Sequence, residues 1–225
     1  MKIGVLMTGH ALPEVQQTLG DFDAMFAKLL AGRGFDFSRY DVVDEIYPRD
    51  PAECDGWLIT GSKHGAYEDH PWIPPLESFI RDTFATGIPQ VGICFGHQII
   101  AQALGGKVEK FAGGWAIGHS TYHIDGVTCA LNAWHQDQVT RLPPGAEVIG
   151  SNDFCAYAAL RYDDRALTMQ PHPEFGPEMI DKLLRLRAPG SVPDPLIARA
   201  GERLDAPIDD TAAADRIADF LRKGA

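Results

Sequence analysis

The sequence contains few cysteines, and no two of them lie close together. Cys54, Cys94, Cys129 and Cys155 are the four cysteines in 225 residues, and no CxxC pair occurs. A disulfide framework uses a denser pattern, and a structural zinc site usually needs such pairs. We therefore expect reduced thiols, with neither a disulfide scaffold nor a structural metal.

Long apolar runs and an excess of positive charge are also missing. No run approaches the roughly 20 apolar residues that span a bilayer, and the start MKIGVLMTGH lacks the features of a signal peptide. Acidic residues outnumber basic ones by 31 to 20, which gives a formal net charge of −11. Such a surface repels nucleic-acid phosphates and anionic membranes. We expect a cytoplasmic protein that binds neither.

Short apolar runs alternate with helical patterns, which indicates an α/β fold whose mostly parallel sheet is covered by helices on both faces. The predicted strands are Lys2–Met7, Tyr40–Ile46, Asp55–Thr60, Gln90–Ile93 and Ala166–Met169. The predicted helices are Leu12–Leu30, Pro74–Phe84, Gly96–Leu104 and Gly176–Leu186.

The rest of the chain has a different character. Residues 108–149 favour short strands and loops, and residues 188–210 carry four prolines that favour irregular structure. Asp210 and Thr211 can begin a last helix. The simplest organisation is a catalytic domain over residues 1–187 and a C-terminal appendage, residues 188–225, that packs on it.

Cys94 lies between a predicted strand and a predicted helix, with Gly92 and Gly96 two residues to either side. This is the cysteine form of the nucleophile elbow, a turn too sharp for side chains at the flanking positions. The N-terminus of the following helix favours negative charge on the sulfur. Cys94 is therefore the candidate nucleophile, and a buried structural cysteine is the alternative.

A nucleophilic cysteine needs a base and a group that orients the base. His172 and Glu174 follow the strand Ala166–Met169, flanked by Pro171 and Pro173, which favour extended backbone. Residues two apart in an extended segment point the same way. We therefore predict that Glu174 binds one ring nitrogen of His172 and that the other faces the thiol.

Acyl transfer also needs donors for an oxyanion. The backbone N–H of Phe95 follows the nucleophile, and Gly61 lies at the carboxyl end of a neighbouring strand, so both are candidates. Of the remaining histidines, His135 is the first candidate for binding substrate. His97 with Cys94 suggests half a metal site, but no second pair supports one.

The segments Gly92-Ile93-Cys94-Phe95-Gly96-His97-Gln98 and Gln170-Pro171-His172-Pro173-Glu174 resemble the class I glutamine amidotransferase family. The resemblance covers roughly residues 1–187. It implies a flavodoxin-like three-layer sandwich and hydrolysis of a γ-glutamyl amide through a thioester on Cys94, without a metal or organic cofactor. Many family members carry Phe where this chain has Pro171.

Four further segments resemble the stand-alone branch that includes the γ-glutamyl peptidases: Gly20-Asp21-Phe22, Gly61-Ser62-Lys63-His64, Trp72-Ile73 and Gly113-Gly114-Trp115-Ala116-Ile117-Gly118. The resemblance also implies a site for the glutamyl group. Its candidate residues are Ser62, Gln98, Trp134, His135, Gln136 and Asp137.

Three functions remain open from the sequence. The first is a self-sufficient hydrolase of small γ-glutamyl compounds. The second is a glutaminase subunit that delivers ammonia to a separate synthase partner. The third is a non-catalytic or redox-sensing member of the superfold, since exposed reactive cysteines oxidise readily. The presence of both His172 and Glu174 favours the first two.

Overall fold

The computed structural model describes residues 1–223. The strands are β1 Lys2–Leu6, β2 Asp36–Tyr40, β3 Gly56–Ile59, β4 Gln90–Ile93, β5 Lys107–Lys110, β6 Ala116–Ile124, β7 Val127–His135, β8 Asp137–Arg141, β9 Glu147–Ser151, β10 Ala159–Tyr162 and β11 Ala166–Met169. The α-helices are α1 Pro13–Leu19, α2 Phe22–Leu29, α3 Ile73–Thr86, α4 Phe95–Ala103, α5 Pro177–Leu186, α6 Asp194–Gly201 and α7 Asp210–Lys223.

Nine strands form the central sheet in the order β2-β1-β3-β4-β11-β10-β9-β6-β7. The first five are mutually parallel, and the four pairings from β11 to β7 are antiparallel. The parallel part has the strand order of a flavodoxin-like sheet, 2-1-3-4-5, with β11 as its fifth strand. The α/β fold with a mainly parallel core sheet, predicted from the alternating pattern, is confirmed.

Alternate residues of the central strand β3 face opposite layers, which is why this strand, Gly-Trp-Leu-Ile, is an unbroken run of buried residues without polar side chains. Leu58 of β3 packs in one cluster with α2 and α7, whereas Trp57 and Ile59 pack in another with α3 and α4. Trp57 is completely buried and meets Phe79 of α3 edge to face, with ring centroids 4.8 Å apart. The helices therefore cover both faces of the sheet, as in a three-layer sandwich.

The carboxyl ends of β3, β4 and β11 lie side by side because these strands pair in parallel register. Gly92 of β4 lies opposite Ile59 of β3 and Thr168 of β11. Each of the three segments therefore leaves the sheet at the same edge. Such an edge is where open α/β sheets bind ligands.

Two predicted elements in the first fifty residues are wrong. The helix predicted over Leu12–Leu30 is two helices, because Gly20 adopts φ 77° and Asp21 caps the second with a hydrogen bond from Phe22 N. The second strand runs over Asp36–Tyr40 rather than Tyr40–Ile46. Val42 is instead buried in a short 3-10 turn, Val42–Asp44, so its apolar character reflects packing and not a strand.

Two predictions in the second half also need correction. Residues 108–149 include a long hairpin, β6 and β7, of nine residues each rather than short strands. The proline-rich stretch 188–210 contains helix α6, which Pro193 precedes as the N-cap residue and in which Pro195 occupies the second position. Proline is favourable there because the N–H groups at the start of a helix lack partners in any case.

The last helix packs on the main core. Ile217 and Leu221 are completely buried in the cluster that contains Ile3, Leu58 and Val91 of the parallel strands. Within residues 1–223, no helix is long and apolar enough to cross a membrane.

We propose that residues 188–223 belong to one cooperative unit with residues 1–187; the last two residues of the predicted appendage lie outside the described residues. Ile217→Ala should then lower the free energy of unfolding by about 2–5 kcal/mol, the usual cost of such a truncation in a core. Urea unfolding followed by fluorescence and by circular dichroism measures this. Leu186→Ala, on a side chain that is 46% exposed, is the control and should change stability by at most about 0.5 kcal/mol. Equal effects of the two variants would contradict a single unit.

Candidate active site

The turn at Cys94 is strained in the way that a nucleophile elbow requires. Cys94 has φ 54° and ψ −101°, a conformation that L-residues rarely adopt, and α4 begins at the next residue. Its backbone N–H donates to Met169 O at 2.8 Å, which ties the turn to β11. The strain is thus maintained by the surrounding sheet.

The two flanking glycines are required by close backbone contacts. A Cβ atom on Gly92 would lie 2.4 Å from the carbonyl oxygen of Gly96, and one on Gly96 would lie 2.3 Å from the carbonyl oxygen of Ile59. Neither position has room for any side chain. The glycine spacing in the sequence therefore reflects the packing of α4 against β3 and β4.

His172 is held by the edge strand of the antiparallel extension, the part of the sheet formed by β10, β9, β6 and β7. Its backbone N–H donates to Asn132 O of β7 at 2.8 Å, and the side chain of Asn132 donates to Phe175 O at 2.8 Å. The imidazole stacks on the Phe175 ring, with centroids 3.9 Å apart and planes 2° from parallel. Backbone and ring are therefore both fixed.

His172 Nδ1 and Glu174 Oε1 are 2.6 Å apart, and both side chains are at least 96% buried. The predicted pairing of these residues is present, but the reason given for it was incomplete. His172 forms a bridge to Asn132, and Pro173 and Glu174 then lie in a turn that is closed by Phe175 N and His172 O. The carboxylate meets the ring across this turn rather than along an extended segment.

Burial of the His172 ring opposes its protonation, but the negative charges of Glu174 and Cys94 outweigh that effect and raise its pKa. The negative charge of Cys94 therefore acts on the ring at short range. With Nδ1 engaged by Glu174, the remaining nitrogen Nε2 is the one available to the sulfur. The arrangement therefore favours an imidazolium beside the thiol.

The segment after β3 approaches both groups closely. A Cβ atom on Gly61 would lie 2.9 Å from His172 Cε1 and 3.8 Å from Cys94 Cβ, so glycine is needed there. Thr8 Oγ1 donates to the carbonyl oxygens of Thr60 and Gly61, each at 3.0 Å. Among the described residues, the backbone N–H groups of Gly61 and Phe95 donate to no protein acceptor. They remain free to donate to a ligand.

A small cavity of about 220 Å³ opens in front of Cys94. All six candidate residues for the glutamyl group line this cavity: Ser62, Gln98, Trp134, His135, Gln136 and Asp137. The Tyr67 hydroxyl donates to Asp137 Oδ1 at 3.2 Å. These residues lie on one wall, which is formed by the end of β7, the start of β8, the first turn of α4 and the segment after β3.

His135 is neutral in this wall. Burial, and then the charge of His172, lower its pKa to about 3. Its Nδ1 lies 3.2 Å from Asp137 O, so Nδ1 carries the proton and Nε2 is an acceptor. Nε2 is buried and has no partner among residues 1–223. His97, by contrast, is completely buried, and its Nδ1 lies 2.8 Å from Thr168 Oγ1, so it packs as a residue of the core.

Gln170 is a residue of the site that the sequence reasoning missed. Its amide Nε2 donates to Cys94 Sγ at 3.5 Å, and its Oε1 accepts from Gln98 Nε2 at 3.2 Å. Gln98 Nε2 also donates to Asp137 O at 3.0 Å. Both N–H groups of Gln98 are thus used within the protein, and its side chain orients Gln170. The position of Gln170, directly after β11 at the sheet edge, was the available signal.

A second and larger cavity, about 640 Å³, lies on the His172 side of the cleft. Ser62, Lys63, Trp134 and Arg187 line both cavities, so the two meet at the thiol and the imidazole. Side chains from α2, α5 and the segment before α1 form an apolar wall that consists of Leu12, Phe22, Phe175, Met179 and Leu183. No motif in the sequence predicted this cavity, because its wall comes from distant elements.

A model of the family described as glutamine amidotransferase class-I matches residues 26–185. The chain belongs to this family. It is 29% identical to a glutamine amidotransferase-like protein of Schizosaccharomyces pombe, over 97% of this chain and 98% of that protein. It is 30% identical to γ-glutamyl peptidase 4 of Arabidopsis thaliana, over 79% of this chain and 77% of that protein.

Two further similarities are relevant. A glutamine-hydrolysing GMP synthase of Azoarcus is 33% identical over 73% of this chain, which corresponds to 36% of the synthase. The crystal structure of a glutamine amidotransferase from Methylobacillus flagellatus matches with a TM-score of 0.76 at 23% identity, over 100% of this chain and 94% of that one. The resemblance of both sequence and fold to class I glutamine amidotransferases is therefore confirmed.

The His172–Glu174 pair leads to a prediction that needs no substrate. Glu174→Gln removes the first of the two charges that raise the pKa of His172, so this pKa should fall towards or below its usual value of about 6.5. NMR titration of ¹⁵N-labelled histidines measures it. The other histidine signals are the control, since a shift of all of them would indicate a global change. An unaltered His172 titration would contradict the pairing.

Proposed function

We propose that the protein is a self-sufficient hydrolase of γ-glutamyl amides and uses Cys94 as nucleophile, His172 as proton donor and base, and Glu174 as the group that orients His172. The observation that carries the proposal is the convergence of the strained Cys94 turn, the His172–Glu174 pair at 2.6 Å and two unpartnered N–H groups at one sheet edge. The substrate class is suggested by the γ-glutamyl peptidase relatives and by the two cavities.

In the first half of the reaction, the Cys94 thiolate attacks the γ-carbonyl carbon of the substrate. The oxyanion that forms accepts hydrogen bonds from the Gly61 and Phe95 N–H groups. Collapse of this intermediate breaks the C–N bond, and the His172 imidazolium gives its proton to the leaving amine nitrogen. The products of this half are a free amine and a γ-glutamyl thioester on Cys94.

In the second half of the reaction His172 acts as a base, and the loss of one nearby negative charge makes this possible. In the thioester the sulfur carries no negative charge, so one of the two charges that raise the His172 pKa has disappeared. Neutral His172 then takes a proton from water as the water attacks the thioester carbonyl. Glutamate leaves, and the thiolate–imidazolium pair is restored.

The smaller cavity has the groups that a glutamyl α-carbon requires. An ammonium group donates hydrogen bonds, and the unpartnered His135 Nε2 and the Asp137 carboxylate at this wall are acceptors. An α-carboxylate needs a cation, and Lys110 lines the smaller cavity but not the larger one. Its volume of about 220 Å³ suits a small amino acid rather than a peptide.

The larger cavity favours an organic leaving group over ammonia. His172 lines it, and this is the residue that would protonate the departing nitrogen. A volume of about 640 Å³ with an apolar wall far exceeds what an ammonia molecule needs. Lys63 and Arg187, at its junction with the smaller cavity, form no ion pair within residues 1–223 and can bind a carboxylate of the leaving group. We therefore expect a preference for γ-glutamyl dipeptides.

The glutaminase alternative is supported by the similarity to a glutamine-hydrolysing GMP synthase. In that reading the larger cavity receives a synthase partner or transmits ammonia to it. The two functions share Cys94, His172 and Glu174, so variants of these residues do not separate them. The choice of substrate does.

Glutamate release by the purified protein from glutamine, γ-glutamyl-phenylalanine and γ-glutamyl-phenylalaninamide tests the proposal. We expect kcat/KM for γ-glutamyl-phenylalanine to exceed that for glutamine by about tenfold or more, from burial of the leaving group worth roughly 1.5–3 kcal/mol. The KM for γ-glutamyl-phenylalaninamide should be about tenfold higher than that for γ-glutamyl-phenylalanine, because the former lacks the carboxylate and so loses one charge-assisted hydrogen bond worth roughly 1.5 kcal/mol.

Cys94→Ala is the control for this panel and should release no glutamate from any substrate. Release that survives in Cys94→Ala would exclude the assigned nucleophile. Release from glutamine that equals or exceeds release from the dipeptide would favour the glutaminase subunit instead.

Gln170 is proposed as a positioning residue that stabilises negative charge on Cys94 Sγ. Gln170→Leu removes the amide donor, and Gln170→Glu places a carboxylate beside the sulfur. Both should shift the pH profile of Cys94 alkylation by iodoacetamide to higher pH, the second more than the first. A loss of about 10²-fold in kcat/KM should accompany the shift, comparable to removal of one oxyanion donor.

The matched control is Gln102→Leu. Gln102 lies on α4, one turn after Gln98. Gln102 Nε2 donates to Ala66 O at 2.6 Å and to Glu77 Oε1 at 2.8 Å, away from the sulfur. Its alkylation profile should equal that of the unaltered protein. An unchanged profile in both Gln170 variants would assign Gln170 a purely structural role.

A further inference from the structure

The loop between β3 and α3 carries three metal-ligating side chains in one cluster that takes no part in the proposed reaction. His64, Glu68 and His70 each offer one ligand atom, and these atoms all lie within 4.8 Å of one another. His64 Nδ1 is 3.2 Å and His70 Nε2 is 2.7 Å from the same oxygen, Glu68 Oε2. The cluster has two imidazoles and one carboxylate.

The spacing of these atoms is close to that of a first coordination sphere. Ligands about 2.0–2.2 Å from a tetrahedral Zn²⁺ ion lie roughly 3.3–3.5 Å from one another. The distances of 3.2 Å and 2.7 Å to Glu68 Oε2 are slightly shorter than this range, and all three ligand atoms lie within 4.8 Å of one another, so side-chain rotations can arrange them around one ion. In the absence of an ion, the same atoms form N–H···O hydrogen bonds to Glu68.

The loop that presents the cluster is firmly packed. Ala66 is completely buried, and the Ser62 hydroxyl accepts a hydrogen bond from His64 N at 3.1 Å. His70 stacks on Trp72, with centroids 5.9 Å apart and planes 14° from parallel, and Trp72 in turn packs on Phe95 at 5.5 Å. The ligands are thus preorganised, and they connect through Trp72 to the residue that follows Cys94.

We propose that His64, Glu68 and His70 form a binding site for a divalent transition-metal ion of the zinc type at the rim of the cleft. Two imidazole nitrogens select zinc-type ions over calcium or magnesium, which prefer oxygen ligands. Three protein ligands leave a coordination position for water. His64 and Glu68 also line the smaller cavity, so the bound ion lies beside the substrate pocket without entering the thioester chemistry.

Zinc binding is measured best in the Cys94→Ala protein, where the reactive thiol does not compete for the ion. Titration against a chromophoric chelator should give one equivalent of bound Zn²⁺. His64→Ala, His70→Ala and Glu68→Gln, each in the Cys94→Ala background, should weaken binding by at least about tenfold, since even second-shell changes cost 10–100-fold. Glu68→Gln keeps hydrogen-bonding capacity and tests the carboxylate alone.

His123→Ala in the same background is the matched control, because His123 is exposed on β6 and bonds only Thr128 Oγ1, at 2.9 Å, among the described residues. It should bind Zn²⁺ as the parent does. Co²⁺ substitution adds an independent readout: this site should show d–d bands without the thiolate-to-metal charge-transfer band of a cysteine site. Circular dichroism verifies that each variant is folded.

Several outcomes would overturn the proposal. Stoichiometric binding that is unaffected by all three ligand variants would place the ion elsewhere. Absence of binding to the folded Cys94→Ala protein would reduce the cluster to a hydrogen-bonded loop. Because every measurement uses binding and not turnover, the result is independent of whether γ-glutamyl amides are the substrate.

Discussion

The close backbone contact between β4 and the start of α4 is the constraint on which the rest of the site depends. Cys94 has a positive φ, and the chain reverses so sharply there that a Cβ atom on Gly92 would lie 2.4 Å from the carbonyl oxygen of Gly96. The turn is therefore possible only because both flanking residues are glycines. The turn presents the thiol at the sheet edge and directs the N-terminus of α4 at it.

The antiparallel extension gives the second half of the site. Cys94 comes from the parallel part of the sheet, but His172 is positioned by Asn132 of β7, the far edge strand, through a backbone and a side-chain bond. The chain returns to that edge strand directly after β11. The antiparallel strands therefore hold His172 beside Cys94 and supply the wall from Trp134 to Asp137. This explains why the smaller cavity and the imidazole are fixed by the same hairpin.

The sequence predicted those parts of the site that depend on local backbone chemistry. The β4 and β11 strands were predicted with their observed bounds, since both are short, wholly buried and ended by polar residues at the sheet edge. Strand β2 was misplaced because it pairs only with β1 at the edge of the sheet, and half-exposed residues such as Arg39 replace the apolar signal there. The larger cavity and the Gln98–Gln170 contact bring together residues far apart in the chain, which periodicity does not encode.

The positions of the two cavities relative to His172 determine which part of a substrate each cavity can bind. In the reaction proposed above, a glutamyl group bound beside Asp137 presents its side-chain carbonyl carbon to Cys94, and the nitrogen that it loses faces the imidazole of His172. That nitrogen therefore departs on the side where Phe22, Phe175 and Met179 form an apolar wall. Water for the second step has to enter by the same route after the amine has left. Apolar leaving groups thus bind well but delay hydrolysis until they depart, so with bulky substrates amine release rather than acylation should limit turnover.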